Sequence, residues 1–345
     1  MKTIVVSGGQ SRTGKTTLAK ALAALLPHGV CVKIGHGQKR TGKMESLYPL
    51  GTPFLEIARI HCAAHYLILE SNGILKEMTP DLAIYLDSES PKPSSAWARE
   101  KADILRGQRI TPERVTEYAQ RLDVDDRCMR KIAWLAGARP SETTAIILSG
   151  GKSSRMGTRK ATLLFHGLTA VEAIAQRLQP HFDDLILSVS HEDRTQYGEL
   201  RTVRDRVPDQ GPLRAIASSL QQSRTAINFV VACDIPRLNW GLIYELLMWS
   251  EEYDIVVPSF QVGHREPLYG IYRRTVGEAA EEILCQGKRR VAALLDRCSF
   301  REILVEDGTW YANLNTPEEY REFLERDSER DIAFARSRNP KDQQI

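Results

Sequence analysis

Two glycine-rich turns stand out among the segments that could carry chemistry, and each follows a short β-branched apolar run. The first is Ser7-Gly8-Gly9, after residues 3–6, and the second is Ser149-Gly150-Gly151, after residues 144–148. A strand that enters such a turn and continues into a helix presents unpaired backbone N–H groups, which suit a phosphate. The two segments do not otherwise resemble each other. The sequence therefore predicts two different phosphate-binding domains, not a duplication.

The first turn belongs to a longer pattern, G-x-x-x-x-G-K-[ST], in which Gly9, Gly14, Lys15 and Thr16 occupy the specified positions. Glycines allow backbone N–H groups to surround phosphates, the lysine neutralises the terminal phosphates, and the threonine hydroxyl can hold Mg²⁺. We expect Thr17, the next residue, to contribute to the same nucleotide site. A chance glycine-lysine turn is the alternative, but the flanking strand and helix favour a nucleoside triphosphate site.

Two later segments contain residues that could belong to this nucleotide site. Glu70 ends an apolar run at residues 67–70, where a carboxylate that positions Mg²⁺ would lie, although an exposed strand-end glutamate fits equally well. Lys33 and His36 could lie near a phosphate or an acidic partner, and ordinary surface positions are the more common case. The chain lacks an N-K-x-D run, so the base that this half would bind stays open.

The second turn opens a basic loop that is more specific than a lone glycine turn. Small residues let the backbone approach a nucleotide closely, and basic side chains bring positive charge to a triphosphate whose pyrophosphate must leave. A solvated basic loop is the alternative. The nucleotide-binding residues predicted in this loop are Leu148, Ser149, Gly150, Gly151 and Lys160, and the catalytic residues predicted there are Arg155 and Lys160.

Two aspartates follow this loop. Asp205 precedes Gly211-Pro212-Leu213, a turn that again allows close backbone approach, and Asp234 follows the apolar run at 229–232. Ligands of α/β folds bind at the carboxyl ends of strands, where an aspartate can hold a Mg²⁺ ion between the α-phosphate and the attacking oxygen. Asp234 is therefore a predicted catalytic, nucleotide-binding and metal-binding residue, as Thr16 is the predicted metal ligand of the first site. A simple turn cap is the alternative for Asp234.

A late run at residues 313–319 predicts the start of a helix. Thr316 as N-cap, Pro317 at the first helical position and Glu319 at the third form a capping box. Asn313 and Asn315 are then left to hydrogen-bond a ligand or a metal, or to serve as plain turn residues.

In order and spacing, residues 143–325 resemble the molybdenum cofactor guanylyltransferase family. The family pattern is L-A-G-G-x-S-x-R-M-G-x-x-K, then G-P-L-A-G, then C-D-x-P, then N-x-N-T-P-E, and the chain departs from it at Ser149 and at Arg214-Ala215. The resemblance implies a Rossmann-like nucleotidyltransferase fold and the transfer of GMP from GTP to molybdopterin cofactor, with release of pyrophosphate. It also implies a triphosphate-binding role for Arg155 and Lys160, a nucleotide-side role for Asp205 and a Mg²⁺-ligand role for Asp234.

The choice of base is open to alternatives. Ser149 is a mild change, whereas Arg214 and Ala215 could narrow or recharge the turn near the base. Cytidylyl transfer to the same cofactor is the nearest alternative, because those relatives share the R-M-G-x-x-K core. The Gly150-Gly151 pair and Gly211-Pro212-Leu213 favour guanine. A sugar-phosphate nucleotidyltransferase is a more distant option, since those chains usually run longer past the core.

Residues 1–135 resemble the small P-loop adapter protein of molybdopterin-guanine dinucleotide biosynthesis. The shared features are the G-K-T-T-L run at 14–18, a V-K-x-x-H segment at 32–36 and the apolar run that ends in Glu70, where the family reads V-E-G and this chain has L-E-S. The resemblance implies a nucleotide-binding adapter in preference to a kinase, with molybdopterin-insertion proteins or molybdoenzyme chaperones as partners. The basic stretch at 39–43 could face an anionic pterin phosphate.

The elements that must position these residues follow an α/β pattern. Apolar runs that alternate with helical stretches predict parallel sheets covered on both faces. We therefore expect an N-terminal P-loop nucleotide-binding domain at 1–137 and a C-terminal Rossmann-like nucleotidyltransferase domain at 142–325. A breaker cluster at 137–141 would link them, and the charged tail at 326–345 would be disordered. The strand candidates are residues 66–69, 82–86, 185–189, 229–232 and 255–257.

Composition sets limits on partners and compartment. A chain of 345 residues with 42% hydrophobic and 26% charged residues is typical of a soluble protein of two domains. The net charge of +3, with both signs interspersed, does not call for nucleic acid. Six scattered cysteines without a C-x-x-C pair argue against a zinc ribbon or a disulfide framework. No apolar run approaches the ~20 residues of a membrane span, so we expect a cytoplasmic protein without membrane contact.

Overall fold

The computed structural model divides the chain into two compact units, Met1–Ser141 and Glu142–Ile345. It describes residues 1–10, 13–42, 45–88, 91–149, 163–165, 167–195, 197–205, 207–208, 210–261, 263–305, 308, 311, 314 and 316–323, without the side chains of Ser94 and Phe165. The predicted tail at 326–345 lies outside the described residues.

The first unit is a parallel sheet flanked by helices. Its strands and helices are β1 (Lys2–Gly8), α1 (Lys15–Leu25), β2 (Gly29–Gly35), β3 (Glu45–Pro49), α2 (Phe54–Ile60), β4 (Tyr66–Glu70), β5 (Leu82–Leu86), α3 (Ala96–Glu100), β6 (Ile104–Leu105), α4 (Pro112–Leu122) and α5 (Asp126–Leu135), with short 3-10 turns at Gly73–Lys76 and Pro93–Ser95. The strand order is β3-β2-β4-β1-β5-β6, and all these pairs are parallel.

Alternate residues of the central strand enter two separate cores. Ile4 and Val6 of β1 pack with residues of α1, α4 and α5, whereas Val5 packs with Ile57 of α2 and Ala98 of α3. A strand whose successive side chains are all buried needs cover on both faces of its sheet. The predicted parallel sheet with both faces covered is therefore confirmed in this unit.

The second unit contains a larger, mixed sheet. Its strands and helices are β7 (Thr143–Leu148), β8 (Leu164–Phe165), β9 (Leu168–Thr169), α6 (Ala170–Leu178), β10 (Asp184–Val189), β11 (Arg201–Arg204), α7 (Gly211–Gln222), β12 (Ile227–Ala232), α8 (Trp240–Met248), β13 (Ile255–Ser259), β14 (Tyr269–Arg273), α9 (Val276–Cys285), α10 (Ala292–Leu295) and β15 (Phe300–Leu304). Residues 317–323 are also helical. The main sheet has the order β11-β10-β7-β12-β14-β13-β15.

Strand β14 was not predicted, and it makes the second sheet mixed. It is antiparallel to β12 and to β13, while the other neighbouring pairs of the main sheet are parallel. Its sequence, Y-G-I-Y-R, is not a continuous apolar run. Gly270 is required at this point, because a Cβ there would lie 2.9 Å from the Val256 carbonyl oxygen. Close packing against β13 thus explains a glycine that weakens the strand pattern.

Part of the predicted linker is an ordered piece of the first unit. Gly107 N–H donates to the Gly137 carbonyl at 2.7 Å, and Ile110 N–H donates to the Arg139 carbonyl at 3.0 Å. Ala138 between them is completely buried. The linker interpretation is therefore wrong for residues 137–139, whose breaker residues serve a tight, paired turn. Among the described residues, no helix combines the length and apolar character that crossing a membrane requires.

Candidate functional site

In the first unit, the glycine-rich turn connects the central strand β1 to the N-terminus of α1. Gly14 is the N-cap of α1 with φ 89°, a conformation that costs glycine least. A Cβ on Gly9 would lie 3.0 Å from Pro91 Cβ and 3.2 Å from Pro91 Cα, so this position also favours glycine. Within the part of the turn that the structure describes, α1 has no side-chain cap. Its first N–H groups are therefore available to an anion.

Lys15, the first residue of α1, folds back over this turn. Its ammonium group donates to a carbonyl of the turn and to Thr13 Oγ1, the latter at 3.3 Å. The pKa of Lys15 is lowered, first by burial; the Glu70 carboxylate opposes this effect, and the ammonium groups of Lys33 and Lys92 add to it. Three lysine side chains therefore concentrate positive charge around the turn.

Thr16, Glu70 and Lys33 meet where β2 and β4 end beside the start of α1. Thr16 Oγ1 donates to Glu70 Oε2 at 2.7 Å, and Lys33 Nζ donates to Glu70 Oε1 at 3.0 Å and to Thr16 Oγ1 at 3.1 Å. Glu70 is buried, so the alternative of an exposed strand-end glutamate is wrong. Lys33 does lie beside an acidic partner, Glu70, although its side chain is 42% exposed. His36 and Thr17 are exposed.

In the second unit, three predicted site residues lie at one edge of the main sheet. Ser149 follows β7, Asp205 follows β11 and Asp234 follows β12. These strands are parallel, and β10 lies between β11 and β7. The strand ends that carry the two aspartates are thus three inter-strand spacings apart, about 14 Å. The Ser149 turn lies between them, as a nucleotide bound across this edge would require.

Hydrogen bonds on both sides fix the point at which the Ser149 turn leaves the sheet. Ser149 N–H donates to the Ser188 carbonyl of β10 at 2.8 Å, and Cys233 N–H donates to the Leu148 carbonyl at 2.9 Å. Leu148 itself is buried. The remaining predicted residues of this loop, Gly150, Gly151, Arg155 and Lys160, lie outside the described residues.

Asp205 is partly buried at the end of β11, near the start of α7. Burial raises the pKa of its carboxyl to about 6, while Arg214, the Ser218 hydroxyl and the neighbouring His191 act in the opposite direction. Asp205 N–H donates to the Val189 carbonyl at 3.1 Å, which holds the residue beside β10. A carboxyl with this pKa is largely ionised at neutral pH and can then accept hydrogen bonds from a nucleotide.

Arg214, which departs from the family pattern, links two helices and acts on Asp205. Its guanidinium donates to both Glu281 carboxylate oxygens, at 2.6 and 2.7 Å, and to Gln210 Oε1 at 2.8 Å. The side chain is buried between α7 and α9. Glu281 therefore offsets much of the charge that Arg214 brings to the turn, and the remainder lowers the pKa of Asp205.

Asp234 is half-buried at the end of β12. Leu314 N–H donates to the Asp234 carbonyl at 2.9 Å, which brings the backbone at 314 to this strand end. Leu314 is buried with Ala170 of α6 and with Phe323. Asn313 and Asn315 lie outside the described residues. The main-chain contact nevertheless connects the C-D-x-P and N-x-N-T-P-E segments, which are far apart in sequence.

The capping box that begins the last described helix is confirmed. Glu319 N–H donates to Thr316 Oγ1 at 3.2 Å, and Thr316 N–H donates to Glu319 Oε2 at 2.9 Å. Tyr320 in the first turn of this helix donates its hydroxyl hydrogen to the Leu164 carbonyl. The box therefore fixes the start of a helix that is hydrogen-bonded to β8.

A polar loop after β10 also belongs to this edge and was not predicted. Asp193 is buried and accepts from Tyr197 OH at 2.9 Å and from Thr195 N–H at 2.8 Å, and Arg204 Nε donates to its carbonyl at 2.7 Å. The rule that selected Asp234 would have found this loop, since residues 191–193 directly follow a buried strand.

Oxygen donors suited to Mg²⁺ are present in both units. In the part of the chain that the structure describes, no group of three or more His, Cys, Asp or Glu side chains could hold a metal ion. Mg²⁺ is commonly bound through one or two carboxylates, with phosphate and water oxygens completing the octahedron. Asp234 in the second unit, and Thr16 with Glu70 in the first, fit that mode of binding.

Comparisons with known proteins match the second unit. The sequence model of the MobA-like NTP transferase domain matches residues 145–301. A probable molybdenum cofactor guanylyltransferase of Carboxydothermus hydrogenoformans is 32% identical over 188 residues, which cover 52% of this chain and 94% of that protein. A probable molybdenum cofactor guanylyltransferase of Bacillus cereus strain B4264 is 32% identical over 193 residues, which cover 52% of this chain and 94% of that protein.

A solved structure gives a similar coverage. The molybdopterin-guanine dinucleotide biosynthesis protein A of Archaeoglobus fulgidus matches 54% of this chain and 99% of its own, with 21% identity and a TM-score of 0.48. From the family match and the relatives, the chain is a nucleotidyltransferase enzyme. It belongs, through its second unit, to the molybdenum cofactor guanylyltransferase family.

Proposed function

We propose that the second unit transfers GMP from GTP to molybdopterin cofactor and releases pyrophosphate. The observation that carries this proposal is the placement of Ser149, Asp205 and Asp234 along one sheet edge, in a chain whose relatives are named molybdenum cofactor guanylyltransferases. One strand end bears a carboxylate for the nucleotide side and another bears a carboxylate for the metal side. The glycine-rich turn that begins at Ser149, between them, would bind the triphosphate.

The chemistry is an in-line displacement at the α-phosphorus of GTP. A phosphate oxygen of molybdopterin forms the new O–P bond, and the bond from the α-phosphorus to the bridging oxygen breaks, so that the electron pair leaves with pyrophosphate. No covalent enzyme intermediate is needed. Catalysis then consists of positioning and charge neutralisation. Arg155 and Lys160 would neutralise the departing pyrophosphate, Arg155 as a hydrogen-bonding fork and Lys160 as a point charge.

Asp234 would hold the metal in this reaction. A bound Mg²⁺ would supply Lewis-acid stabilisation of charge on the α-phosphate. Asp234 emerges from β12, whose backbone is fixed between β7 and β14, so its carboxylate starts from a rigid strand end. The hydrogen bond from Leu314 N–H to the Asp234 carbonyl also holds the backbone of this strand end.

Asp205 would bind the nucleotide as an acceptor. Its ionised carboxyl can accept from N–H donors on the Watson–Crick edge of guanine, which cytosine does not offer in the same arrangement. Burial makes such hydrogen bonds worth more than they would be in water. Arg214 and Ser218 keep the carboxyl ionised near neutral pH by opposing the effect of burial.

For the first unit we propose a nucleoside triphosphate-binding adapter that serves the second unit's product or its protein partners. The support is local: Gly14 at the start of α1, Lys15 over the turn, and the Thr16–Glu70 pair for Mg²⁺. Its partners would be molybdopterin-insertion proteins or molybdoenzyme chaperones.

Product analysis tests the proposed transfer. The full chain is incubated with molybdopterin, Mg²⁺ and one nucleoside triphosphate at a time, and the dinucleotide is identified by mass. We expect molybdopterin-guanine dinucleotide and pyrophosphate in equal amounts with GTP. Formation of a cytosine dinucleotide from CTP in its place would contradict the base assignment. No dinucleotide from any triphosphate would contradict the choice of acceptor.

A further inference from the structure

Lys33 occupies the position between Thr16 and Glu70 that a cation bound to both would take. Its ammonium nitrogen lies 3.1 Å from Thr16 Oγ1 and 3.0 Å from Glu70 Oε1. Thr16 Oγ1 and Glu70 Oε2 are themselves 2.7 Å apart. The three groups thus form a closed ring in which one positive charge compensates a buried carboxylate.

We infer that Lys33 is a built-in substitute for Mg²⁺, which the metal of an incoming nucleotide must displace from Thr16 and Glu70. The inference rests on the proposed nucleotide-binding function of the first unit. A hydroxyl and a carboxylate are ligands that Mg²⁺ uses at phosphate sites, and they can bind the ion only if the ammonium withdraws. Binding of the metal is therefore an exchange of one cation for another.

The exposure of the two partners decides which one moves. The Glu70 side chain is only 7% exposed, whereas the Lys33 side chain is 42% exposed. Glu70 is held in β4 between β1 and β2, and an uncompensated charge at such a buried position is costly. Lys33 carries its charge on a flexible four-carbon stem that already reaches water. Lys33 can leave when Mg²⁺ arrives, and Glu70 is never left without a cation.

The exchange has two measurable consequences. Without Mg²⁺, Lys33 keeps its charge at the turn beside Lys15, so nucleotide binding persists in part. With Mg²⁺, displacement of Lys33 costs free energy, so the metal concentration needed for tight nucleotide binding is higher than the ligands alone would require. Removing the ammonium should lower that concentration and should weaken binding in the absence of metal.

The test measures binding of a fluorescent GTP analogue to the full chain by fluorescence anisotropy over a series of Mg²⁺ concentrations. The same series is measured separately with a fluorescent ATP analogue. Each protein is compared with the same protein carrying Lys15→Ala. The difference between the two signals reports nucleotide bound by the first unit, because binding by the second unit contributes equally to both. Lys33→Met should lower the midpoint Mg²⁺ concentration about tenfold, because the metal no longer competes with a resident cation. Lys33→Arg should raise it about threefold or more, because a guanidinium pairs with the carboxylate through two hydrogen bonds.

Lys92→Met is the matched control. Lys92 is exposed and acts on Lys15 through its charge, but in the described part of the chain its side chain makes no hydrogen bond to Thr16 or Glu70. Its loss should weaken binding without metal and leave the Mg²⁺ midpoint within about twofold, since exposed charges are screened. An unchanged or raised midpoint in Lys33→Met, or an equal shift in Lys92→Met, would overturn the exchange.

Two further readouts separate the possible failures. Circular dichroism checks that each variant is folded. If Lys33→Met is not folded, the Mg²⁺ midpoint of Lys33→Arg decides: a midpoint that is lowered or unchanged in that variant overturns the inference. Absence of any Lys15-dependent binding in the wild-type chain would instead overturn the proposed nucleotide site, and the exchange with it.

Discussion

Asp205 and Asp234 lie at the same sheet edge but in different surroundings. Asp205 sits where burial raises its pKa to about 6, and Arg214, Ser218 and His191 oppose that effect. Asp234 is half-buried at the end of β12, beside the Leu314 backbone. The first environment suits a hydrogen-bond acceptor that must be kept ionised. The second suits a metal ligand whose charge the ion itself will compensate.

Asp234→Asn keeps the size of the side chain and removes the charge that would hold the metal. We expect dinucleotide formation to fall about a hundredfold or more with the fold preserved, because metal-assisted charge stabilisation is worth several kcal/mol. Raising Mg²⁺ or supplying Mn²⁺ should restore part of the rate. Initial rates measured across a metal series check this, and a wild-type rate would show that Asp234 only caps its turn.

Asp205→Asn should separate activity from stability. In the wild type, kcat/KM for GTP should decline as pH falls below about 6, because the carboxyl loses the charge that accepts hydrogen bonds. The folded-state pKa of Asp205 is raised above the unfolded value, so its burial costs stability in full above about pH 6, and this cost is lost gradually as the pH falls from about 6 to about 4.

The variant should accordingly be less active and yet melt at a higher temperature than the wild type at pH 7.5, with no difference near pH 4. Melting curves at both pH values, together with the pH profile of kcat/KM, provide the check. An acid limb that persists unchanged in Asp205→Asn would assign the titration to another group.

Lys160→Ala tests the basic loop, which lies outside the described residues. We expect a loss of about a hundredfold or more, on the order of 3 kcal/mol, as for one preorganised charge donor. Arg159→Ala is the matched control, because the motif leaves that neighbouring basic position variable. Turnover is measured at saturating GTP and Mg²⁺. Equal effects of the two substitutions would mean that the loop acts through its overall charge.

Residue patterns in the sequence located the strand-end acids but not their partners. Glu70 and Lys33 are 37 positions apart, and Arg214 and Glu281 are 67 apart. No local spacing rule joins such pairs; they meet because parallel strands β2 and β4, or helices α7 and α9, lie side by side in the fold. The burial of Glu70 follows from the same packing, which the sequence alone does not provide.

At the scale of elements, the sheet edge and the helix starts determine where the chemistry can occur. β7, β10, β11 and β12 are parallel neighbours, so the loops that follow them share one edge. Continuous apolar runs predicted β10 and β12 within one or two residues, because a strand buried on both faces leaves few polar positions. The same rule did not predict β14, because its glycine and terminal arginine interrupt the apolar pattern. Its antiparallel direction depends only on the strands beside it.

Thr316→Ala tests the contribution of the capping box to this edge. Removing the hydroxyl leaves Glu319 N–H without its acceptor and should lower the free energy of unfolding of the second unit by about 1 kcal/mol. Because Leu314 connects this segment to the Asp234 backbone, we also expect a raised KM for molybdopterin. Urea unfolding and steady-state kinetics measure the two effects.

Glu318→Ala provides the comparison, since Glu318 pairs only with Arg321 among the described residues and both side chains are 67% exposed. Its loss should be within about 0.5 kcal/mol of neutral, as for an exposed ion pair. Equal destabilisation by Thr316→Ala and Glu318→Ala would mean that the box contributes nothing beyond helix propensity.

At the scale of the whole molecule, the chain carries two compact units, each with its own central strand, glycine-rich turn and strand-end carboxylate. We therefore expect each unit to complete its proposed phosphate site without a residue of the other. The boundary follows Ser141, just after the paired turn at residues 137–139. A chain that begins at Ser141 therefore keeps every element of the second sheet.

The central claim, that the second unit alone carries GMP transfer, is tested most directly by one rate. The initial rate of guanine dinucleotide formation from free molybdopterin is measured for the full chain, for its Lys15→Ala variant and for a chain beginning at Ser141. Lys15→Ala should abolish nucleotide binding by the first unit, because it removes the ammonium group that lies over the turn. We predict the same rate of transfer in all three proteins within about twofold, since the proposed catalytic groups lie in one unit. A collapse of the rate in a folded Lys15→Ala protein would contradict this account and would place the first unit's turn in the reaction itself.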